Sequence, residues 1–425
     1  MKKRIVLFIA LIIFSSFSFA RGFFEGRFFE VKVEAPVSVN NNAFSFFEFL
    51  KKEVVIGLPK IADDMPESGW NLYLLTSPNV TTSIFIGDFF SFGVNSGVDV
   101  SGKMSLSKSL FDFLGHGNAL NEIIKFSGNL NADIFYHYGF HSKLKIGKIS
   151  LGITPSVFFP ILSASLGKLD MEVENSDGAL GIKGIACADV YSCFSFSGNE
   201  SFDSNDLLEN FQKSVGFDLG MAVGFDFSNI INVVADFSVP IVPGKLKYRS
   251  KSTYELEFGM NLLGNGEEDN TNSEELEDDY FDDPEEKEND SSYDNSLNKS
   301  STEVFDDIEY LINRPLKANL TFNFTPFGKG VRLFAMGGCG VYRPFLDAMY
   351  VYPEYRFGGE INFIGLVKAQ LYTEYVNEVF SHCIQGTVNL RFVQADVGIK
   401  FSSIDFLKSF QGAGLGAYVA CTVGF

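Results

Sequence analysis

Side chains that alternate in polarity with a period of two, over stretches of ten residues and more, constrain this sequence most. From Lys125 to Ile146 one parity reads Phe126, Gly128, Leu130, Ala132, Ile134, Tyr136, Tyr138 and Phe140, while the other reads Lys125, Ser127, Asn129, Asn131, Asp133, Phe135, His137, Gly139, His141 and Lys143. Successive side chains of a strand point to opposite faces, so this is one strand with a greasy face and a wet face. Leu316 to Phe324 repeats the pattern, as does Val351 to Phe363, where Tyr355, Phe357, Ile361 and Phe363 oppose Tyr352, Glu354, Arg356, Glu360 and Asn362. Strands of soluble sandwiches usually run to about five or six residues. Longer ones with aromatics at the ends of the apolar face suit a sheet closed on itself, with lipid outside and a polar interior.

The connections alternate in length. Tight turns are expected at Ile86-Gly-Asp-Phe, Ile146-Gly-Lys, Phe227-Ser-Asn-Ile, Phe327-Gly-Lys-Gly, Phe363-Ile-Gly and Phe392-Val-Gln. Long loops are expected at roughly 40–69, 107–122, 160–212, 250–307, 343–350, 378–384 and 402–412. Short turns on one side and long loops on the other are the asymmetry of bacterial outer-membrane barrels. The strands this implies are 27–39, 70–87, 89–106, 123–144, 148–160, 213–227, 231–249, 308–325, 331–342, 351–363, 365–377, 385–392, 394–401 and 413–425, with Pro240 and Pro243 read as a kink in one long strand. The fold class is therefore all-β: a transmembrane antiparallel β-barrel of about fourteen strands, with short loop-side helices and a disordered acidic loop.

The first residues agree. Met1-Lys-Lys-Arg, an apolar run from Ile5 to Phe14, and small residues at Ser18 and Ala20 form a secretory signal peptide over 1–20, leaving 21–425 as a single barrel domain. No later run of about eighteen apolar residues exists to cross a bilayer as a helix. At the other end Leu415, Ala417, Val419, Cys421, Val423 and Phe425 alternate with Gly416, Tyr418, Ala420, Thr422 and Gly424, the kind of closing strand that barrel-assembly machinery recognises. Five scattered cysteines do not make a disulfide scaffold, although Cys187 and Cys193 could close a small loop.

Charge is concentrated. Of the net charge of -19, -15 lies in 264–306, where seventeen carboxylates meet Lys287 and Lys299. Such a segment is too polar to fold on its own and reads as a solvated, disordered extracellular loop. No basic patch supports a nucleic-acid partner; the partners expected are outer-membrane lipid, the assembly machinery and hydrophobic small molecules.

Catalytic signatures are missing from the sequence. There is no Gly-x-Ser-x-Gly elbow, no phosphate-binding Gly-Lys-Ser/Thr loop and no Cys-x-x-Cys pair, so neither an enzyme nor a cofactor or metal site is expected. His137 and His141 share a face but sit about 13 Å apart at strand rise, too far to share a metal. Charges on the wet parity are more informative: Asp99, Lys103, Asp133, Lys143, Asp218, Asp236, Glu354, Arg356, Glu360, Lys368, Glu374, Arg391, Asp396 and Lys400, with His137 and His141, would all point into the lumen. They serve either as an ion-paired filling or as the wall of a polar passage. Residues 43–66 break the alternation, with Phe46, Phe47, Leu50 and Val54 at helical spacing; they form a candidate lid or plug whose Phe44, Phe46, Phe47, Phe49 and Leu50 are candidate ligand contacts. A second helix is expected at Lys108–Leu114.

Several runs, Lys51-Lys-Glu-Val-Val-Ile-Gly-Leu-Pro-Lys-Ile-Ala62, Leu151-Gly-Ile-Thr-Pro-Ser-Val-Phe-Phe-Pro-Ile161, Val239-Pro-Ile-Val-Pro-Gly-Lys-Leu246 and Asp405-Phe-Leu-Lys-Ser-Phe-Gln-Gly-Ala-Gly-Leu-Gly416, resemble treponemal spirochaete outer-membrane barrels grouped with FadL-type long-chain fatty-acid transporters. The resemblance implies a fourteen-stranded outer-membrane barrel with loop-side helices, carrying hydrophobic nutrients such as long-chain fatty acids. The N-terminal hatch motif of that group has no counterpart here, since strand-like sequence begins near Arg27. A surface adhesin or structural barrel without transport is the competing reading.

Overall fold

The polarity alternation becomes a closed wall. The computed structural model describes residues 27–49, 57–176, 179–194, 213–261, 297–305, 308–346, 349–390 and 392–425. The expected signal peptide, residues 264–296 and 306 of the acidic segment, Leu50 and Arg391 lie outside them.

The strands in chain order are β1 (Phe29–Asn41), β2 (Trp70–Thr76), β3 (Asn79–Ile86), β4 (Phe90–Leu106), β5 (Glu122–Ile146), β6 (Ile149–Ser176) and β7 (Ala179–Ser192). Then follow β8 (Gly216–Asp226), β9 (Ile231–Val242), β10 (Gly244–Leu246), β11 (Tyr248–Asn261), β12 (Leu297–Phe305), β13 (Tyr310–Ile312) and β14 (Leu316–Phe324). The last six are β15 (Val331–Tyr342), β16 (Tyr350–Phe363), β17 (Val367–Val376), β18 (Val379–Asn389), β19 (Val393–Ser403) and β20 (Gly414–Gly424). Four short helices join them: α1 (Phe46–Phe49), α2 (Leu58–Asp64), α3 (Lys108–His116) and α4 (Phe406–Phe410).

All pairings are antiparallel. The circuit runs from β1 to β2 and β3, which lie end to end between β1 and β4, then through β5, β6, β8, β9 and β14, and on in sequence from β15 to β20. It closes where β20 returns to β1, from Glu30 opposite Gly424 to Asn40 opposite Gly414. A closed circuit leaves no sheet edge in the wall, which is the condition for backbone to cross hydrocarbon.

The sheet holds eighteen strands, not about fourteen, and a separate pair forms a two-stranded sheet. Two causes account for the difference. Pro78 has no N–H to donate, so the stretch expected as one strand over 70–87 divides at Ser77–Pro78. The stretches expected as loops over 160–212 and 250–307 contain strand: β6 pairs with β8 over Ile149–Phe158 but continues upward to pair with β7, which pairs with β11, which pairs with β12. This flap extends the sheet beyond the wall on the loop side, and residues 297–305 of the expected acidic loop are part of it as β12. Of the two prolines read as a kink, Pro240 lies within β9 and Pro243 follows its end at Val242, so the strand stops instead of continuing to 249; β10 and β13 leave the wall and pair only with each other.

The expected tight turns carry left-handed residues at Gly87, Gly147, Ile364 and Gly365. One loop expected to be long, 378–384, is instead a two-residue turn, because Asn377 and Glu378 both take positive φ and start β18 at once.

Burial is inverted relative to a soluble protein. Outward-parity Leu371, Val397 and Ile361 are about 60% exposed (61%, 59% and 60%), whereas the inward carboxylates Glu354, Glu374 and Asp396 are 3%, 3% and 4% exposed. A compact apolar core occurs at one place in the lumen, where Leu246 of β10 and Ile312 of β13 pack on Phe135, Phe158 and Cys193. Phe135, an apolar residue on the wet parity of β5, is there to meet this insert. Gly216 on β8 leaves room for it, since a Cβ there would stand 2.1 Å from the Phe158 ring.

Candidate functional site

A cavity of about 770 Å³ opens inside the barrel towards the loops. Strand parity aims its walls: Tyr73 on β2, Asp99 and Lys103 on β4, Asp133 and Phe135 on β5, Tyr342 on β15, Tyr350 and Tyr352 on β16, Glu374 on β17 and Lys400 on β19. Arg314, Lys317, Arg343 and Glu378 complete it from the starts and ends of strands.

The charges are paired. On the floor Glu374 receives Arg356 Nη2 at 2.6 Å and Lys400 Nζ at 2.8 Å. Lys317 Nζ donates to Glu354 at 2.8 Å and to the Asn377 side-chain oxygen at 2.9 Å. Arg314 reaches across the lumen, with Nη2 2.7 Å from Asp99 Oδ2 and Nη1 2.8 Å from Asp218 Oδ2. Asp99 is steadied in turn by the Ser77 hydroxyl at 2.6 Å and has His137 Nδ1 at 3.3 Å. Asp133 accepts from Ser163 at 2.7 Å and from the Tyr342 hydroxyl at 2.8 Å, while the Arg343 guanidinium lies over the Tyr310 and Tyr342 rings. Lys103 stands 4.9 Å above the Tyr73 ring and 3.6 Å from Glu378. Each charge is offset where it stands, and between the ion pairs the rings of Tyr73, Tyr342, Tyr350 and Tyr352, with Val37, Leu75 and Phe135, give the wall apolar surface.

Of the lumen residues expected from sequence, Asp99, Lys103, Asp133, Glu374 and Lys400 line the cavity. His137, Asp218, Glu354 and Arg356 face inward behind them through the contacts just given. Others lie apart: Glu360 pairs with Arg332 at 2.7 Å, Asp396 accepts from Thr387 and Gln394, Asp236 accepts from Asn319, and His141 meets the Ser83 hydroxyl at 3.1 Å. Lys368 sits opposite Asn362 and Thr387, and Lys143 borders a smaller recess beside Phe89.

Among the described side chains, Phe44, Phe46 and Phe47 do not line the cavity. Phe44 packs edge-on to Trp70 at 5.9 Å, and Phe47 lies 5.6 Å from Phe401 and against Gly412. Trp70 and Phe401 belong to the outward parity of their strands, so this part of 43–66 is draped over the outer rim. The Phe46 amide donates to the Gly412 carbonyl at 2.8 Å, and Phe49 ends α1. α3 lies on the same side, with Phe113 5.6 Å from Phe126. Around the rim Tyr355, Tyr375, Phe380, His382, Phe406 and Phe410 continue the aromatic band.

Sequence reasoning missed Tyr73, Tyr342, Tyr350, Arg314 and Arg343 as wall residues. Tyr73 shares the inward parity of β2 and could have been found that way; the two arginines lie in connections, where no period exists to aim them.

Fold and site together define a transmembrane-type β-barrel: lipid-compatible outside, ion-paired within, and hollow towards the loops. No family model and no curated protein matches the sequence. Among solved structures it is similar to the Pseudomonas putida toluene transporter TodX (8% identity, 96% of this chain and 92% of that one, TM-score 0.44). It is likewise similar to the Ralstonia pickettii toluene transporter TbuX (7%, 94% and 90%, 0.44) and to a Pseudomonas aeruginosa FadL homologue (8%, 93% and 89%, 0.38).

Proposed function

We propose that this chain is an outer-membrane channel or transporter that admits small, chiefly hydrophobic nutrients, with the cavity as its binding chamber. The carrying observation is a chamber of about 770 Å³, lined in part by Tyr73, Tyr342, Tyr350 and Tyr352, within a barrel whose apolar side chains face outward. That volume falls within the range of small-molecule sites, roughly 300–1,000 Å³. Burying an acyl chain there contributes about 0.8 kcal/mol per methylene. Long-chain fatty acids and small aromatic hydrocarbons are the substrate classes of choice, toluene being the substrate by which TodX and TbuX are known. In this reading the partners are outer-membrane lipid and the assembly machinery, and residues 264–296 face the exterior.

Purified protein in liposomes is expected to speed uptake of toluene or of labelled oleate, and mass spectrometry of the purified protein to find bound host lipid. Absence of both, with the barrel folded, overturns transport and leaves the adhesin reading.

A further inference from the structure

We propose that Arg314 is the latch of an internal gate formed by β10 and β13, an inference that rests on the transport reading above. These two strands have three residues each, pair only with each other, and join the wall by strand pairing nowhere among the described residues. A pair this short does not hold itself together. Besides one backbone hydrogen bond, from the Lys245 N–H to the Ser214 carbonyl at 3.1 Å, two sets of side-chain contacts keep it seated.

The first set is apolar: Leu246 and Ile312, both 0% exposed, against Phe135 and Phe158. The second is ionic and polar. Arg314, two residues beyond β13, bridges Asp99 on β4 and Asp218 on β8. The neighbouring Asn313 amide donates to the Pro344 carbonyl at 2.8 Å, and Arg343 donates to the Tyr310 hydroxyl at 2.5 Å. The insert is thus bolted to wall strands that do not adjoin one another.

Its position gives the bolting a purpose. Phe135 has one side on the chamber and the other in the apolar cluster, and Arg314 and Arg343 both line the chamber. Space vacated by the insert is therefore continuous with the chamber. Connectivity supplies a handle. β10 runs into β11 across the single residue Lys247, and β12 leads to β13 within five residues, so the β11–β12 hairpin of the flap is rooted in the insert. While the Arg314 guanidinium bridges its two carboxylates, the insert stays seated and the chamber stays narrow. When the bridge lets go, the insert leaves its seat, pulling on the root of β11, and the passage widens.

The chain carries a reporter, because Cys193 is free, 1% exposed and part of the apolar cluster. The experiment uses full-length protein with Cys187, Cys339, Cys383 and Cys421 replaced by Ser, reconstituted in liposomes and planar bilayers. Two quantities are read: the rate of Cys193 labelling by a membrane-impermeant maleimide, and conductance in KCl. Arg314→Ala is expected to speed labelling by about tenfold or more, the change in open population that loss of a charge-assisted contact to the closed state produces, and to raise conductance. Arg314→Lys, which keeps the charge but reaches one carboxylate at a time, is expected to fall between. Labelling and conductance at the parent level in a folded Arg314→Ala barrel overturn the latch. If Arg314→Ala does not assemble, Asp218→Asn, which removes one arm of the bridge, is read against the same two outcomes. Faster labelling with no uptake of toluene or oleate and no bound lipid in either protein leaves the gate standing and removes the transport reading.

Discussion

At the scale of the residue, the interior is governed by the cost of an uncompensated charge. Glu374 is 3% exposed and held between Arg356 and Lys400. Removing one partner of such a buried set costs about 3–5 kcal/mol, because the remaining charges stay desolvated without an opposite neighbour. Glu374→Ala strands two cations, whereas Lys400→Met leaves the Arg356–Glu374 pair intact. Glu374→Ala is therefore expected to lower the thermal midpoint of the barrel in detergent clearly more than Lys400→Met does. Equal midpoints for the two would mean that these charges are solvated and contribute little. One residue away in strand parity the rule reverses: Val397, 59% exposed, has no polar neighbour to satisfy and tolerates only apolar company if lipid surrounds it. Val397→Arg is expected to cost about 2–4 kcal/mol if that position lies near the bilayer midplane. On a water-exposed surface the same change would be close to neutral. Folding yield into lipid vesicles across a urea series separates the two.

At the scale of the element, helices on the loop side serve the rim. α1 sits on Phe401 and on the turn at Gly412, so Phe47→Ala is expected to loosen the rim while leaving uptake and bound-ligand stoichiometry unchanged. A several-fold loss of uptake at unchanged barrel content would restore Phe47 to the ligand path. The wall itself was legible because period two persists wherever one face meets lipid and the other meets ion pairs: Phe357 and Ile361 against Glu354 and Glu360 could be sorted from sequence alone. The helical stretch beginning at Phe46 was legible as helix, but not the side on which it packs, since an amphipathic spacing identifies an apolar face without saying what covers it. Least legible was the lumen insert. Three-residue strands such as Gly244–Leu246 and Tyr310–Ile312 are shorter than any periodicity test, and Pro240 and Pro243 were compatible with a kink as well as with an exit from the wall. The flap strands escaped for a different reason. Their alternation is present, with Leu180, Ile182, Ala186, Ala188 and Val190 on one parity of β7 and Tyr254, Leu256, Phe258 and Met260 on one parity of β11, but it lies inside stretches assigned to long loops by the turn pattern.

At the scale of the whole molecule, the outward surface is apolar on every side of the circuit, and aromatic residues gather at its loop-side end. Amphipathic rings collect at that level in membrane barrels because their edges tolerate the headgroup region while their faces prefer hydrocarbon. This chain has a single tryptophan, Trp70, on the outward parity of β2 at the loop end, flanked by Phe44 and by Phe111 at 6.4 Å. It is therefore a native depth marker. In vesicles of lipids brominated at a shallow acyl position, Trp70 fluorescence is expected to be strongly quenched. Bromine placed near the chain terminus should quench it much less, because contact quenching falls steeply with distance and Trp70 stands at the rim. Quenching strongest from the deep position would place the loop-side rim inside the hydrocarbon, and the helices draped over it would have to carry unpaired backbone groups there at several kcal/mol each. No quenching from either position would mean that the outer face does not meet acyl chains, and the inverted distribution of Leu371 and Glu374 would then need a protein partner, not a bilayer, to cover it.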